Sequence, residues 1–510
     1  MTHSALRFKR TTRALAMLAP RAHIQNAWHS DSVAPTRTRR RIRAADVATG
    51  RAIAVVLFLY AVGACATLPD TTHVTAARPA GQVEFKGSRG AVSAGRSDAI
   101  LDRLEGKDPD SDILEKHLAY EQAVNSENPL VLGNKVRLLE NGPATYEAML
   151  DAIRAARDHV NLETYIFSGD EVGHQFADAL LERQAAGVQV NVIYDSVGSL
   201  ATPKEFFDRL RAGGVHVLEF NPVNPLANDH KDWELNNRDH RKLLLIDGRV
   251  AFVGGINISD TYSSSPPSGE NEDDPGQDAS AGWRDTHVQI EGPVVADFQR
   301  LFLDTWKRQK GQPLPARNYF PALAPQGDEI VRAVGSTPND HTKSTIYLTL
   351  ISAISHAEQH VHLTIAYFAP DPQLRKALMD AARRGVDVKL VLPSYTDSST
   401  ALHLGRSYYT ELLRAGVQIY ERRGSVMHSK TVSIDGVWST IGSTNLDWRS
   451  FLHNDEINAI ILSRPFAREM EAMFLEDLAE SDRITLDQWK KRPLLDRLKE
   501  KMARLVEYWL

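Results

Sequence analysis

The chain has 510 residues, a formal net charge of −5 and a single cysteine, with 42% apolar and 25% charged residues. This length exceeds what one hydrophobic core usually organises, so two to four domains are expected. One cysteine excludes an intrachain disulfide and a cysteine-based metal cage, and the slightly acidic balance argues against a dedicated nucleic-acid-binding protein.

The N-terminal region, residues 1–70, predicts a basic leader followed by a hydrophobic signal or anchor segment. Arginines dominate residues 1–51, and an uncharged apolar run from Ala52 to Cys65 follows. This run is short for a transmembrane helix and suits the apolar region of a signal peptide. The small residues before Cys65 resemble a bacterial lipoprotein cleavage box, which makes Cys65 a candidate lipidation site. An uncleaved anchor and a buried structural segment are the alternatives.

Either of the first two interpretations of the leader predicts a protein attached to a bacterial cell membrane, with its folded part in the periplasm. Residues 71–129 are polar and weakly patterned, which predicts a linker with one helix around 98–126. Beyond the linker the chain repeats itself. A unit spanning 130–315 is followed by a similar unit spanning 325–483, and each unit alternates helices with strands.

Glycines mark the same points in both units. Gly187 aligns with Gly385 and Gly214 with Gly416, and each stands where a helical pattern ends and a strand pattern begins. Glycine is favoured there because the residue after a helix often adopts a left-handed conformation. The alternation predicts an α/β fold made of two similar halves.

Each unit carries the same histidine-led motif, H-x-K-x4-D-G. The first copy spans 240–248 and the second spans 428–436, and an asparagine, Asn257 or Asn445, follows each histidine by seventeen positions. Two copies at matching positions of a duplicated unit arise by chance far less often than one. The two asparagines could bind substrate at the same centre, and turn formation is the alternative.

The motif places a histidine and a lysine two positions apart, which directs both side chains to the same face of a strand. His240 with Lys242, and His428 with Lys430, would meet in one cleft if the halves pack about a two-fold axis. This set of groups suits a phosphodiester. Lysines neutralise the non-bridging oxygens, a neutral histidine can attack phosphorus, and a protonated histidine can donate to the leaving oxygen.

Four carboxylates are further candidates. Asp247 and Asp435 complete the two motifs and are included among the catalytic residues, although a turn before glycine also explains them. Asp285 aligns with Glu456 and is expected at the substrate site. A carboxylate that accepts from a histidine Nδ1–H would fix the tautomer, and surface salt bridging is the alternative.

The two motifs resemble the signature of the phospholipase D superfamily. Stretches such as VRLLENGPATYEAMLDAI and GWRDTHVQIEGP are similar to bacterial cardiolipin synthases, and the resemblance covers roughly Leu130 to Ser481. It implies two pseudo-symmetric αβ repeats packed face to face around one shared active site, without a metal or a cofactor. It also implies that His240 is the phosphatidylated nucleophile and that His428 is the acid and base.

The implied reaction is phosphatidyl transfer onto phosphatidylglycerol or a similar phospholipid at a membrane surface. Hydrolysis to phosphatidic acid, cleavage of nucleic acid and non-catalytic lipid binding are the alternatives, in that order. Neither a nucleic acid nor an obligatory protein partner is expected. The acidic insertion at 263–280 and the leader depart from the pattern of the resemblance. Residues 484–510 predict an amphipathic helix lying on lipid, or one docked on the protein with a solvated charged face.

Overall fold

The computed structural model describes residues 67–72, 74, 83–105, 113–223, 236–266, 282–338 and 344–509. The leader and the candidate lipidation site Cys65 lie outside these residues. Within the described ranges, no helix combines the length and the apolar character needed to cross a bilayer.

A short N-terminal segment precedes the two repeats. Its elements are β1 (Phe85–Gly87), β2 (Gly90–Ala91), α1 (Ala94–Glu105), a π-helical turn (Ile113–His117) and α2 (Leu118–Val124).

The first repeat alternates strands and helices before it ends in antiparallel strands and a long helix. Its elements are β3 (Leu130–Glu140), α3 (Asn141–Ala155), β4 (His159–Thr164), α4 (Glu171–Ala185), β5 (Gln189–Asp195), α5 (Lys204–Ala212), β6 (His216–Phe220), β7 (Arg238–Asp239), β8 (Lys242–Ile246), β9 (Val250–Gly254), β10 (Thr286–Glu291) and α6 (Val295–Arg308).

The second repeat follows the same plan. Its elements are β11 (Glu329–Ser336), α7 (Thr345–His356), β12 (His360–Ile365), β13 (Phe368–Ala369), α8 (Pro372–Arg383), β14 (Asp387–Pro393), α9 (Ser399–Arg406), α10 (Tyr409–Ala415), β15 (Gln418–Arg422), β16 (Lys430–Ile434), β17 (Trp438–Gly442), β18 (Leu446–Asp447), α11 (Trp448–Leu452), β19 (Asn454–Leu462), α12 (Arg464–Ala479) and β20 (Ser481–Ile484).

The two repeats have the same sheet topology. Neighbouring strands follow the order β3-β10-β9-β8-β4-β5-β6 in the first repeat and β11-β19-β17-β16-β12-β14-β15 in the second. In each, the last three strands are parallel and the others antiparallel. The predicted α/β fold with two pseudo-symmetric repeats is therefore confirmed.

The repeats share one core. β3 pairs antiparallel with β11, with Val131 opposite Val331, so the two sheets are hydrogen-bonded to each other. Val288 of β10 and Ile457 of β19 are fully buried in the same apolar cluster as these two valines. Burial of each aliphatic side chain contributes about 1.5–3 kcal/mol, so these residues stabilise the contact between the two repeats.

Local sequence signals explain where the helices begin and end. Asp170 caps α4 by accepting a hydrogen bond from Gly173 N, and Asp371 caps α8 in the second repeat, where Pro372 occupies the first helical position. Gly187 and Gly385 follow these helices with φ of 89° and 97°, as their pattern predicts.

The segment predicted as a linker, 71–129, differs from that expectation. Ile113 and Leu118 are fully buried in the core of the second repeat, so the segment contributes to its fold. Glu121 of α2 is buried as well and forms an ion pair with Arg332 of β11 at 2.7 Å. A buried ion pair disturbs the apolar periodicity by which a sequence indicates a packed helix.

The C-terminal region also differs in detail from the single amphipathic helix predicted over 484–510. It forms α13 (Leu486–Lys490), α14 (Leu494–Ala503) and a 3-10 turn (Arg504–Trp509). Pro493 separates the two helices because its ring disfavours a helical conformation of the preceding residue. The apolar side chains of α14 point to solvent, with Leu494 79% exposed.

Candidate active site

The two catalytic motifs are held against each other across the repeat interface. β7 pairs in parallel with the start of β19, and His240 N donates to Asp455 O at 2.9 Å. The pseudo-symmetric contact joins the second motif to the first repeat, because His428 N donates to Arg284 O at 2.7 Å. The backbone therefore fixes each histidine relative to the opposite repeat.

Each imidazole contacts a carboxylate from the other repeat. His240 Nδ1 lies 3.1 Å from Glu456 Oε1, and His428 Nδ1 lies 2.7 Å from Asp285 Oδ2. All four residues are buried. With Nδ1 of each ring engaged by a carboxylate, Nε2 is the atom that can face a substrate, and Lys430 Nζ lies 3.0 Å from Nε2 of His428. The sequence-based expectation that these carboxylates serve the histidines agrees with this geometry, but the exchange between repeats was not part of it.

The two motif lysines lie beside their own histidines. Lys242 Nζ donates to His240 O at 2.6 Å, and Lys430 Nζ donates to His428 O. Burial lowers the pKa of Lys242 to about 7 and that of Lys430 to about 8. A bound anion would favour the charged form of both lysines. The site is therefore expected to bind a phosphate group.

The two carboxylates differ electrostatically. Burial raises the pKa of Asp285, but its contact with His428, the charge of Lys430 and the amide of Thr286 outweigh this and hold the pKa below its usual value. Burial also raises the pKa of Glu456, to about 7, and Lys242 opposes that rise only in part. Asp285 is therefore ionised at neutral pH, whereas Glu456 is close to its midpoint.

The imidazoles are both neutral in the substrate-free site. Burial and the charges of Lys242 and Lys430 hold the pKa of His240 well below its usual value. Burial and Lys430 lower the pKa of His428 to about 4, against the pull of Asp285. A neutral imidazole is the form that can act as a nucleophile.

Both predicted asparagines reach the same cavity as the histidines. Asn257 is anchored, since its Oδ1 accepts from Ile166 N at 3.2 Å and its Nδ2 donates to Tyr262 OH at 3.3 Å. Asn445 Oδ1 is buried without a hydrogen-bond partner among the described residues. That asymmetry leaves Asn445 the freer of the two to bind a ligand.

The cavity between the repeats has a volume of about 310 Å³. Besides the histidines and asparagines, its lining includes Tyr165, Trp283, Tyr367, Arg449 and Asp447. Aromatic walls together with the guanidinium groups of Arg238 and Arg449 suit an amphiphile with an anionic head group.

Comparison with known proteins agrees with this geometry. The family described as "Cardiolipin synthase, PLD-like domain" matches residues 149–265 and 350–478, once in each repeat. Cardiolipin synthase 2 of Bacillus anthracis is 37% identical over 376 residues, which are 73% of this chain and 70% of that protein. The cardiolipin synthase of Alkalihalophilus pseudofirmus is 33% identical over 436 residues, 84% of each chain. The chain belongs to the cardiolipin synthase family. Its membership of the phospholipase D superfamily follows.

A solved structure shares the fold of this member of the cardiolipin synthase family. The phosphatidylserine synthase of Haemophilus influenzae superposes with a TM-score of 0.51 at 13% identity, covering 74% of this chain and 95% of that one.

The motif aspartates of this cardiolipin synthase family member, which the sequence places among the catalytic residues, contact the backbone at the start of a strand in each repeat. Asp247 accepts hydrogen bonds from the amides of Arg157, Asp158 and His159, which lead into β4. Asp435 accepts in the same way from the amides of residues 358–360, which lead into β12. Neither lines the cavity. With φ of 53° and 52°, both occupy left-handed turns that carboxylate–amide bonds stabilise.

Several residues at the site of this family member escaped sequence-based prediction. Tyr262 OH lies 3.1 Å from His428 Nδ1, and Ser443 Oγ hydrogen-bonds to Glu456. Asn454 Nδ2 donates to the other oxygen of Glu456 at 3.1 Å. Ser443 lies two positions before Asn445, whereas Tyr262 lies five positions after Asn257 in a 3-10 turn, so the two residues do not occupy equivalent positions of the repeats. Proximity to the motif was therefore the only available signal.

Proposed function

We propose that this protein synthesises cardiolipin by transferring a phosphatidyl group from one phosphatidylglycerol to a hydroxyl of another. The observation that carries the proposal is the crosswise pairing of two buried histidines with two carboxylates, beside two buried lysines. Such a site offers a nucleophile, an acid and base, and cationic stabilisation of a phosphodiester.

The first step forms a bond between His240 Nε2 and phosphorus and breaks the bond to the glycerol head group. His428, protonated at Nε2, gives its proton to the departing glycerol oxygen. In the second step, the hydroxyl of another phosphatidylglycerol loses its proton to His428 and attacks phosphorus. The phosphorus–nitrogen bond breaks, and neutral His240 is restored with cardiolipin as product.

The two carboxylates support this division of labour. Ionised Asp285, at 2.7 Å from Nδ1, stabilises the imidazolium that His428 must become. The anionic phosphodiester raises the pKa of an imidazole that faces it, which offsets the effect of burial. His240, beside a carboxylate whose pKa is near 7, has the less stabilised imidazolium and suits the nucleophile.

Transfer rather than hydrolysis requires that the phosphohistidine meet a lipid alcohol before water. Tyr165, Trp283 and Tyr367 on the cavity wall favour an amphiphilic acceptor. Phospholipase D activity, which gives phosphatidic acid, is the alternative, because water needs no dedicated subsite.

Attachment to a membrane is part of the proposal. Leu494 and Leu505, exposed by 79% and 75%, belong to an apolar face that also carries Leu498 and Met502. Helix α14 packs on α9, whose Ala401 lines the cavity. Insertion of this face into lipid would bring the cavity to the bilayer surface. The leader would hold the protein at the bacterial cell membrane, through acylated Cys65 or as an anchor, with the catalytic unit in the periplasm.

Product analysis by mass spectrometry on phosphatidylglycerol vesicles tests the reaction. The wild type should release cardiolipin and glycerol, His240→Ala neither, and the exposed-site control His174→Ala both. Phosphatidic acid without cardiolipin would establish hydrolysis instead. Absence of lipid turnover by the wild type would refute both lipid reactions.

A further inference from the structure

A cluster of possible metal ligands lies on the second repeat, outside the cavity. His360 and His362 stand two positions apart on β12, so both project from the same face of the sheet. Their rings lie 4.7 Å apart between centroids. Glu471 comes from α12, which covers this face, and one ligand atom from each of the three lies within 4.8 Å of the other two.

We propose that His360, His362 and Glu471 bind one zinc ion that ties α12 to the sheet. Two imidazoles and a carboxylate are ligands that zinc accepts in a tetrahedral site, with water or a further side chain completing the shell. The site is structural, because it lies away from the catalytic groups. Along β12, His360 is separated by about 16 Å from Ile365, the residue opposite Lys430.

The geometry at His362 is close to that of a zinc site. His362 Nδ1 and Glu471 Oε2 are 2.9 Å apart, near the separation of about 3.3 Å between two ligands of tetrahedral zinc. Zinc would replace the proton between these atoms. His362 Nε2 lies 3.5 Å from Asp387 Oδ2, so a carboxylate is placed to orient the ring from behind.

The third ligand and the surroundings are compatible with a cation. His360 Nε2 accepts a long hydrogen bond of 3.3 Å from Gly436 N, and zinc bound at Nε2 would replace this hydrogen bond. Lys389 is the competing cation nearby. It forms an ion pair with Asp387.

The first repeat supplies a natural comparison at the equivalent place. His159 and Asn161 align with His360 and His362, and Gln299 from α6 faces them as Glu471 does. His159 Nε2 lies 3.3 Å and Asn161 Nδ2 3.2 Å from Gln299 Oε1. Neutral amides satisfy one another there. The second repeat has a histidine and a carboxylate at these places instead, and both are side chains that bind metal ions.

The test is zinc binding by the full-length protein, measured by equilibrium dialysis with elemental analysis and by thermal unfolding. The wild type should bind about one more zinc ion per chain than His362→Asn, which copies Asn161, and than Glu471→Gln. Zinc should raise the midpoint temperature of the wild type by several degrees and leave both variants unchanged. His174→Asn removes a histidine elsewhere and should behave as the wild type.

Equal zinc binding by the wild type and both variants would overturn the proposal, as would absence of a zinc-dependent shift in the wild type. Glu471 is partly exposed, so Glu471→Gln keeps the test valid if His362→Asn does not fold. Cardiolipin formation at low temperature reports whether each variant is folded. A chelator should lower the midpoint temperature of the wild type without changing its turnover, whereas loss of turnover in the folded enzyme would contradict a structural role.

Discussion

The two repeats have one topology and one motif, yet their halves of the active site are not equivalent. The histidine of the second repeat contacts an ionised aspartate at 2.7 Å, whereas that of the first contacts a glutamate at 3.1 Å whose pKa is about 7. Burial lowers the pKa of the lysine further in the first repeat, to about 7 against about 8. Duplication therefore supplied two similar sets of groups, and small differences around them can assign different roles.

The same comparison extends to the motif ends that face away from the cavity. Asp247 and Asp435 make equivalent contacts, since each accepts hydrogen bonds from three backbone amides at the start of a strand. The two repeats are thus alike around the motif aspartates, which stabilise the fold, and differ around the two histidines, which have different roles in the reaction. Each prediction below tests one side of that distinction.

The largest effect is expected from the histidines. His240→Ala and His428→Ala should each lower the rate of cardiolipin formation by about 10⁴-fold or more, because groups that act as a unit fail together. Only His428→Ala should accumulate a phosphatidyl adduct, detected by intact mass, from a substrate whose leaving group needs no proton. An adduct on His428 in the His240→Ala variant would reverse the assignment.

Substitution of the two carboxylates should lower kcat by more different amounts than substitution of the two histidines. Asp285→Asn should lower kcat by about 10³–10⁴-fold, because the imidazolium of His428 loses its counter-charge and its tautomer. Glu456→Gln should cost less, about 10–100-fold, because the glutamate is only partly ionised near neutral pH. Steady-state kinetics at pH 7 measure both. Equal losses would show that the two histidines are supported alike.

The motif aspartates should affect stability and spare the chemistry. Asp247→Ala and Asp435→Ala should each lower the free energy of unfolding by about 2–4 kcal/mol, since three amides lose a charged acceptor and alanine disfavours a positive φ. Urea unfolding measures the loss, and the kcat of the folded fraction should stay within a few-fold of the wild type. A kcat lowered as much as in the histidine variants would restore their catalytic role.

The sequence indicated the fold and the central groups because both are periodic signals. The repeated helix–strand pattern and the H-x-K spacing depend on neighbours along the chain, so His240, Lys242, His428 and Lys430 could be identified directly. The crosswise pairing with Asp285 and Glu456 depends on how two repeats pack, which no local pattern specifies.

Other differences between the sequence-based expectations and the structure have similar causes. An aspartate before glycine is as well suited to a turn as to catalysis, so the motif alone did not separate the two for Asp435. The sequence predicted a helix within the linker but not its packing, because the burial of Glu121 depends on Arg332, more than 200 residues away along the chain.

The smallest and most specific effect concerns pH. At saturating lipid, kcat should fall by up to about tenfold per pH unit below pH 7, because protonated Glu456 no longer accepts from His240 Nδ1–H. The proton of His240 then shifts to Nε2, which cannot attack phosphorus. This fall of kcat below pH 7 is the acid limb of the pH profile. Asp285 contributes no acid limb near neutral pH, since its pKa is held below its usual value. Bound phosphate keeps Lys242 charged over this range.

Glu456→Gln should remove that limb, and Asp447→Asn is the matched control. Burial raises the pKa of Asp447 to about 7 as well, and it lines the same cavity, but it caps α11 through Ser450 N and contacts neither histidine. A limb that survives in Glu456→Gln and disappears in Asp447→Asn would transfer the titration to the substrate pocket. An acid limb that disappears only in Glu456→Gln would show that His240 of the first repeat depends on Glu456 of the second repeat. This difference between the two histidine–carboxylate pairs is what allows one duplicated motif to perform two roles.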